Sequence, residues 1–209
     1  MNTLLQVDSS PLGEGSISRH LTGQFVQSWK DANPGGKIIT RDLTRTHLPA
    51  IDAEWINASF TPAASRTGAQ HQALALSDAL IAELREADEY VFGVPMHNFA
   101  VPSVLKLWID QIARAGETFS YIDGVPAGLL KKKKAIFLTA SGGVYDAGTA
   151  MASFNFVEPY LRTVFGFLGV TDISFLSASG AAALRYGKID RQTFLQPHIE
   201  SIRAQFQPA

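Results

Sequence analysis

Three short segments concentrate residues able to grip a ligand. Gly93-Val94-Pro95-Met96-His97-Asn98-Phe99-Ala100-Val101-Pro102 sets an imidazole, a carboxamide and an aromatic ring between two prolines. Those prolines stiffen its ends by fixing φ, and a stiff loop can hold a flat ligand. Asp8-Ser9-Ser10-Pro11-Leu12-Gly13-Glu14-Gly15-Ser16-Ile17-Ser18 is rich in Ser and Gly and runs into a helical pattern. At such a junction free N–H groups and the helix dipole face an anion, and hydroxyls add donors. Each hydrogen bond to a charged group contributes about 1.5–3 kcal/mol, so several could hold a phosphate without a lysine. On its own the segment fits equally an ordinary Ser-capped helix after a Gly-rich turn. Ala140-Ser141-Gly142-Gly143-Val144-Tyr145 carries paired glycines, which suit either close backbone approach to a ligand or a tight turn.

Several familiar chemistries are absent. Gly13-Glu14-Gly15 is followed by Ser18 where a dinucleotide fingerprint needs its third glycine, and the Lys-Ser/Thr ending of a P-loop is missing. The five histidines, at 20, 47, 71, 97 and 198, are scattered, and neither Glu-x-x-His nor Gly-x-Ser-x-Gly occurs. His198-Ile199-Glu200 lacks the Pro-Cys-x-x-Cys partner of a zinc deaminase. With no cysteine there is no thiolate metal ligand, disulfide or thiol nucleophile. We therefore expect no metal and no catalytic side chain. Stacking surface and backbone donors with few ionisable groups suit a chemistry borrowed from a cofactor, and point to a flavin.

The elements that must position these segments are legible in the apolar pattern. Runs at Leu4–Val7, Ile38–Arg41, Tyr90–Val94, Ala135–Thr139 and Ile173–Leu176 read as strands, separated by helical patterns. The helices are expected over Ser16–Ala32, Gly68–Ala87, Ser103–Arg114, Ala150–Leu168 and Arg191–Phe206, with Ser103 as an N-cap. Pro159 and Pro197 threaten to kink the last two. Five strands and five helices predict an α/β three-layer sandwich whose parallel sheet has the flavodoxin-like order 2-1-3-4-5. In that order the ends of strands one, three and four, with all three candidate segments, converge on one sheet edge. Two connections, Asp42 to Thr67 and Ala115 to Leu130, exceed the ~2–6 residues usual in such folds. Their aromatics suit lids or interfaces. Lys131-Lys132-Lys133-Lys134 reads as a solvated turn that resists edge pairing.

Bulk properties agree. A chain of 209 residues, 46% hydrophobic and 18% charged, fits one domain spanning 1–209. A formal net charge of −1 gives no footprint for nucleic acid or an anionic membrane. The first residues lack the basic and apolar regions of a signal peptide, and no run is apolar and long enough to span a bilayer. A cytoplasmic protein with small-molecule partners is expected.

At these residues the chain resembles the FMN-dependent NADH azoreductase and quinone reductase family, a flavodoxin-like group. The resemblance runs nearly end to end. It rests on Ser10 with Ser16-Ile17-Ser18, Ala73-Leu74-Ala75-Leu76-Ser77-Asp78, Pro95-Met96-His97-Asn98-Phe99, Ala113-Arg114-Ala115-Gly116, Lys133-Lys134-Ala135 and Gly166-Phe167-Leu168-Gly169-Val170-Thr171-Asp172. It implies non-covalent FMN, with Ser10 and Ser16, Ile17 and Ser18 at the phosphate. Pro95, Met96, His97, Asn98 and Phe99 would lie along the isoalloxazine, and Ala140, Ser141, Gly142 and Gly143 would close its other side. It also implies NADH or NADPH as donor, a quinone or azo acceptor, and a two-step ping-pong hydride transfer. The homodimer it implies places active sites at the subunit interface, with Tyr121 and Phe167 from a partner joining Phe99 and Tyr145 around the substrate. Two positions depart from the family pattern: His97 stands where Tyr is common, and Ala140-Ser141 where a Ser-Arg pair is common. The rival readings are a flavodoxin-type electron carrier and a non-catalytic binding module on the same fold. Near-neutral charge and the two long connections weigh against the carrier.

Overall fold

A computed structural model describes residues 2–207; Met1 and the last two residues of the 1–209 span lie outside the described residues. In chain order the elements are β1 (Thr3–Asp8), α1 (Ile17–Ala32), β2 (Lys37–Asp42), α2 (Ala53–Phe60), α3 (Gly68–Glu86), β3 (Glu89–Pro95) and α4 (Ser103–Ile112). There follow β4 (Phe119–Ile122), β5 (Val125–Gly128), β6 (Lys134–Ala140), α5 (Val157–Leu168), β7 (Asp172–Ala178), α6 (Ala182–Arg185) and α7 (Arg191–Ala204). The five long strands form one parallel sheet in the order β2-β1-β3-β6-β7. With the β4–β5 hairpin set aside, this is the expected 2-1-3-4-5 order, and the fold is flavodoxin-like.

The central strands are apolar throughout because both faces are covered. Alternate residues of β3 divide between two cores: Tyr90, Phe92 and Val94 pack under α3, α4 and α5, whereas Val91 joins Leu21, Phe25, Trp29 and Phe194 beneath α1 and α7. Phe92 anchors the larger core. Its ring stacks on Phe137 at 4.8 Å and meets Phe165 and Trp108 edge-on at 5.0 and 5.6 Å.

Several local expectations need correction. The fourth helix starts at Val157 rather than Ala150, because the Asn155 side chain accepts from the amides of Val157 and Glu158 at 3.1 and 3.2 Å. Pro159 then falls in the first turn, where its missing N–H costs nothing. Pro197 lies inside α7, which continues through it. Ser103 is the first residue of α4, and Pro102 occupies the cap without a side-chain bond. The lysine run does not guard an edge, since β6 lies between β3 and β7. Instead Lys133 Nζ donates to the carbonyls of Arg85 and Ala87 at 2.9 and 2.6 Å, closing the C-terminal end of α3.

Both long connections contain structure. The first holds α2, capped by Asp52 accepting from the Trp55 amide at 2.8 Å, while the buried Trp55 Nε1 donates to Gln111 at 2.9 Å. The second forms the β4–β5 hairpin around Asp123-Gly124, both at positive φ. Asp-Gly is a favoured type I′ hairpin pair, so this signal was present in the sequence.

Candidate functional site

The three candidate loops meet at the C-terminal edge of β1, β3 and β6. Direct bonds knit them: Ser9 Oγ donates to the Gly93 carbonyl at 2.7 Å, and the Met96 amide to the Ala140 carbonyl at 2.7 Å.

Beneath the first loop lies Asp8, buried at the end of β1. Its carboxylate accepts from Thr22 Oγ1 at 2.7 Å and Gln6 Nε2 at 2.8 Å, with Arg19 Nη1 at 3.8 Å. Burial raises its pKa despite these partners. Gly93 is required beside it, because a Cβ there would sit 2.6 Å from Asp8 Oδ1. Arg19 also binds both oxygens of Asp42 and donates to the Ser10 carbonyl at 2.9 Å. Burial alone would raise the Asp42 carboxyl, but bonds from Arg19 and Thr44 hold it below the usual range.

Ser16 caps α1, its Oγ accepting from the Arg19 amide at 3.1 Å and lying 3.2 Å from Ser18 Oγ. Ser10, Ser16 and Ser18 are all buried. The amides of Ile17 and Ser18 have no acceptor among the described residues. Such an amide pair at a helix start, flanked by hydroxyls, is built for an anion.

The second loop is tighter than its sequence suggests. His97 and Ala100 exchange two backbone bonds of 3.0 Å, closing a two-residue turn with Asn98 at φ 49° and Phe99 at φ 71°. Positive φ is costly for a phenylalanine, and such strain persists only where its surroundings enforce it. The turn therefore divides the amides: those of Met96 and His97 are engaged within the protein, while those of Asn98 and Phe99 are left without an acceptor among the described residues.

The carbonyls of the third loop are taken up by the segment that follows β7. Those of Ser141, Gly142 and Gly143 accept from Ala181, Ala182 and Gly180 at 2.9–3.0 Å, while the Gly142 and Gly143 amides have no acceptor among the described residues. Gly143 admits the Tyr145 ring, which a Cβ would meet at 2.9 Å. Tyr145 in turn meets Phe99 edge-on at 6.1 Å, so two of the expected pocket aromatics are neighbours. Phe154 adds a third ring, 5.4 Å from Phe99, and the Phe156 amide donates to the Phe99 carbonyl at 3.0 Å. Reading Ala150 onward as helix hid Phe154; the Asn155 cap between Phe154 and Phe156 was the available signal.

Tyr121 and Phe167 lie elsewhere within the chain. Both flank Phe119, at 5.8 and 4.7 Å, where the hairpin packs on the end of α5. Since α5 starts beside Phe99, Phe167 is roughly 16 Å along the helix from Phe156. Its ring is half exposed, and Tyr121, Ile122 and Val125 of the hairpin are exposed as well. At the opposite end of α5 an apolar groove of about 540 Å³ is lined by Ala100, Val101, Lys106, Phe156, Pro159, Tyr160 and Thr163.

Residues 2–206 match a family model described as a flavodoxin-like fold. An FMN-dependent NADH:quinone oxidoreductase from Acidobacterium capsulatum is 56% identical over 203 residues, covering 97% of this chain and 98% of that one. The chain belongs to the FMN-dependent NADH:quinone oxidoreductase family. A second member, FMN-dependent NADH:quinone oxidoreductase 3 of Burkholderia lata, is 50% identical over 206 residues, covering 99% of this chain and all of that one. The solved structure of an FMN-dependent NADH-azoreductase from Bacillus anthracis in complex with FMN has a TM-score of 0.86 and 26% identity, covering 99% of this chain and 98% of that one.

The residues present suit the family's cofactor. A phosphate needs donors, which Ile17, Ser18 and the serine hydroxyls offer; a flat ring with a polar edge needs amides, which Asn98, Phe99 and the Gly142-Gly143 pair offer. No group of three or more His, Cys, Asp or Glu able to hold a metal occurs among the described residues, and none of their helices is long and apolar enough to cross a membrane.

Proposed function

We propose that this chain binds FMN non-covalently across the ends of β1, β3 and β6 and uses NADH to reduce quinones and azo compounds. One observation carries the reading: six backbone amides, of Ile17, Ser18, Asn98, Phe99, Gly142 and Gly143, are gathered on three loops of one sheet edge with no acceptor among the described residues. Ser10, Ser16, Ile17 and Ser18 hold the phosphate. Pro95, Met96 and His97 border the ring, Asn98 and Phe99 donate to its polar edge, and Ala140, Ser141, Gly142 and Gly143 close the far side. When bound, FMN supplies the two-electron relay between donor and acceptor. The Asn98 and Phe99 amides are fixed beforehand by their strained turn, so they stabilise developing negative charge without reorganising. Phe99 and Tyr145 exclude water and favour flat partners.

In this reading the span 1–209 is a single FMN-binding domain working in the cytoplasm as a homodimer. A symmetric contact would bring the exposed Tyr121 and Phe167 of one copy to the apolar groove and Phe99 of the other, since an isologous interface pairs distinct patches reciprocally. Exposed apolar surface at both ends of α5 supports this. Donor and acceptor then share one pocket, the oxidised nicotinamide leaving before the acceptor enters. Initial rates with NADH and a quinone varied together should give parallel double-reciprocal lines. Intersecting lines with a productive ternary complex contradict the order.

A further inference from the structure

We propose that Arg191, the first residue of α7, is a positioning residue for the cofactor phosphate; this rests on the phosphate reading of the Ser10–Ser18 loop above. Its guanidinium reaches across the fold to three consecutive backbone carbonyls. Nη1 donates to Gly15 at 2.9 Å, and Nη2 to Ser16 at 3.1 Å and Glu14 at 3.3 Å. In a planar trans peptide the C=O and N–H point in opposite directions. Holding the Ser16 carbonyl therefore aims the Ile17 amide away from Arg191, and that amide is one of the two at the start of α1 left without an acceptor among the described residues. The same Ser16 carbonyl accepts from the His20 amide at 3.2 Å, so the peptide is fixed from two sides.

Arg19 performs a similar service on the other limb of the loop, through the Ser10 carbonyl, but its charge is matched by Asp42 and Asp8. Arg191 has no carboxylate within ion-pair distance among the described residues. It thus combines a geometric role with a positive charge that has no ion-pair partner among the described residues, set across the Ser16–Ile17 peptide from the anion site. The charge is felt locally, since burial and then Arg191 lower the pKa of His20 on the first turns of α1. The C-terminal helix is thereby coupled to cofactor binding through a residue about 175 positions from the loop it holds.

The test is flavin fluorescence quenching in the full-length protein freed of flavin, titrated with FMN and with riboflavin, which lacks the phosphate. Arg191→Ala should weaken FMN roughly ten-fold, the equivalent of losing one charge-assisted hydrogen bond, and riboflavin less than about two-fold. Arg191→Lys should restore part of the FMN preference by restoring the charge. Asp190→Ala, which removes the N-cap bond to Thr193 but leaves the guanidinium, should retain the preference in full. An unchanged FMN-to-riboflavin ratio in Arg191→Ala, or an equal loss of ratio in Asp190→Ala, overturns the role of Arg191. A wild-type protein that binds both flavins alike overturns the phosphate reading itself, and the inference with it.

Discussion

The Met96 amide donates to the Ala140 carbonyl at 2.7 Å, so the loops after β3 and β6 form one rigid rim. The His97–Ala100 turn beside it leaves the Asn98 and Phe99 amides without an acceptor among the described residues. The proposed site is thus made of backbone held in place by other backbone.

The turn itself is open to test. Asn98→Val places a β-branched residue at φ 49° and should cost about 1–3 kcal/mol in denaturant unfolding of flavin-free protein. Asn98→Gly, which adopts that φ freely, should be near neutral. Equal stability of the two variants would mean that the turn is not strained.

Below the first loop, Gly93→Ala forces a methyl to within 2.6 Å of Asp8 Oδ1 and 3.0 Å of Thr22 Cγ2. Overpacking against a buried carboxylate should cost about 1–3 kcal/mol, read as a lower urea midpoint, and should weaken FMN binding.

Two histidines predict a pH dependence. Burial lowers the pKa of both His20 and His198, with Arg191 adding to the effect at His20. Below the ordinary value of 6.5 the unfolded chain takes up more protons than the native one, so stability rises with pH through that window. The contribution is complete above 6.5 and is lost as pH falls through the lowered native values. The double variant His20→Gln with His198→Gln should flatten melting temperature against pH just below 6.5; an unchanged slope would show that other groups control it.

The proposed sharing of active sites between two copies predicts complementation. A subunit carrying Ser16→Ala with Ser18→Ala, impaired in phosphate binding, and one carrying Phe167→Ala, impaired as a pocket wall, should each be weak alone. Refolded together, they should regain activity, because the mixed dimer contains one site assembled from intact contributions. A mixture no more active than its parts would place Phe167 outside the site.

Much of the fold was legible because its strands are buried on both faces and read as unbroken apolar runs. Strand order follows from crossovers that periodicity does not encode; the count of five strands favoured the flavodoxin-like order over the other common doubly wound one. α2 was missed because its eight residues lie in a connection whose helical signal is a single Asp52 cap and one buried tryptophan. The β4–β5 hairpin was announced by Asp123-Gly124 but is too short to show an alternating pattern. In the site, the serines and glycines were readable by type. Which amides remain free was not, because it depends on turn closure: nothing in Pro95–Pro102 reveals that His97 pairs with Ala100.

In the proposed function this sheet edge passes electrons from NADH to an acceptor through bound FMN. The most direct measurement is rapid mixing of the FMN-loaded protein with NADH in the absence of oxygen, followed by a quinone. Fast bleaching of the visible flavin absorbance is expected, with its full return on quinone addition and one quinone reduced per NADH consumed. Flavin absorbance that NADH leaves unchanged would contradict it and assign the fold to an electron carrier or a binding module.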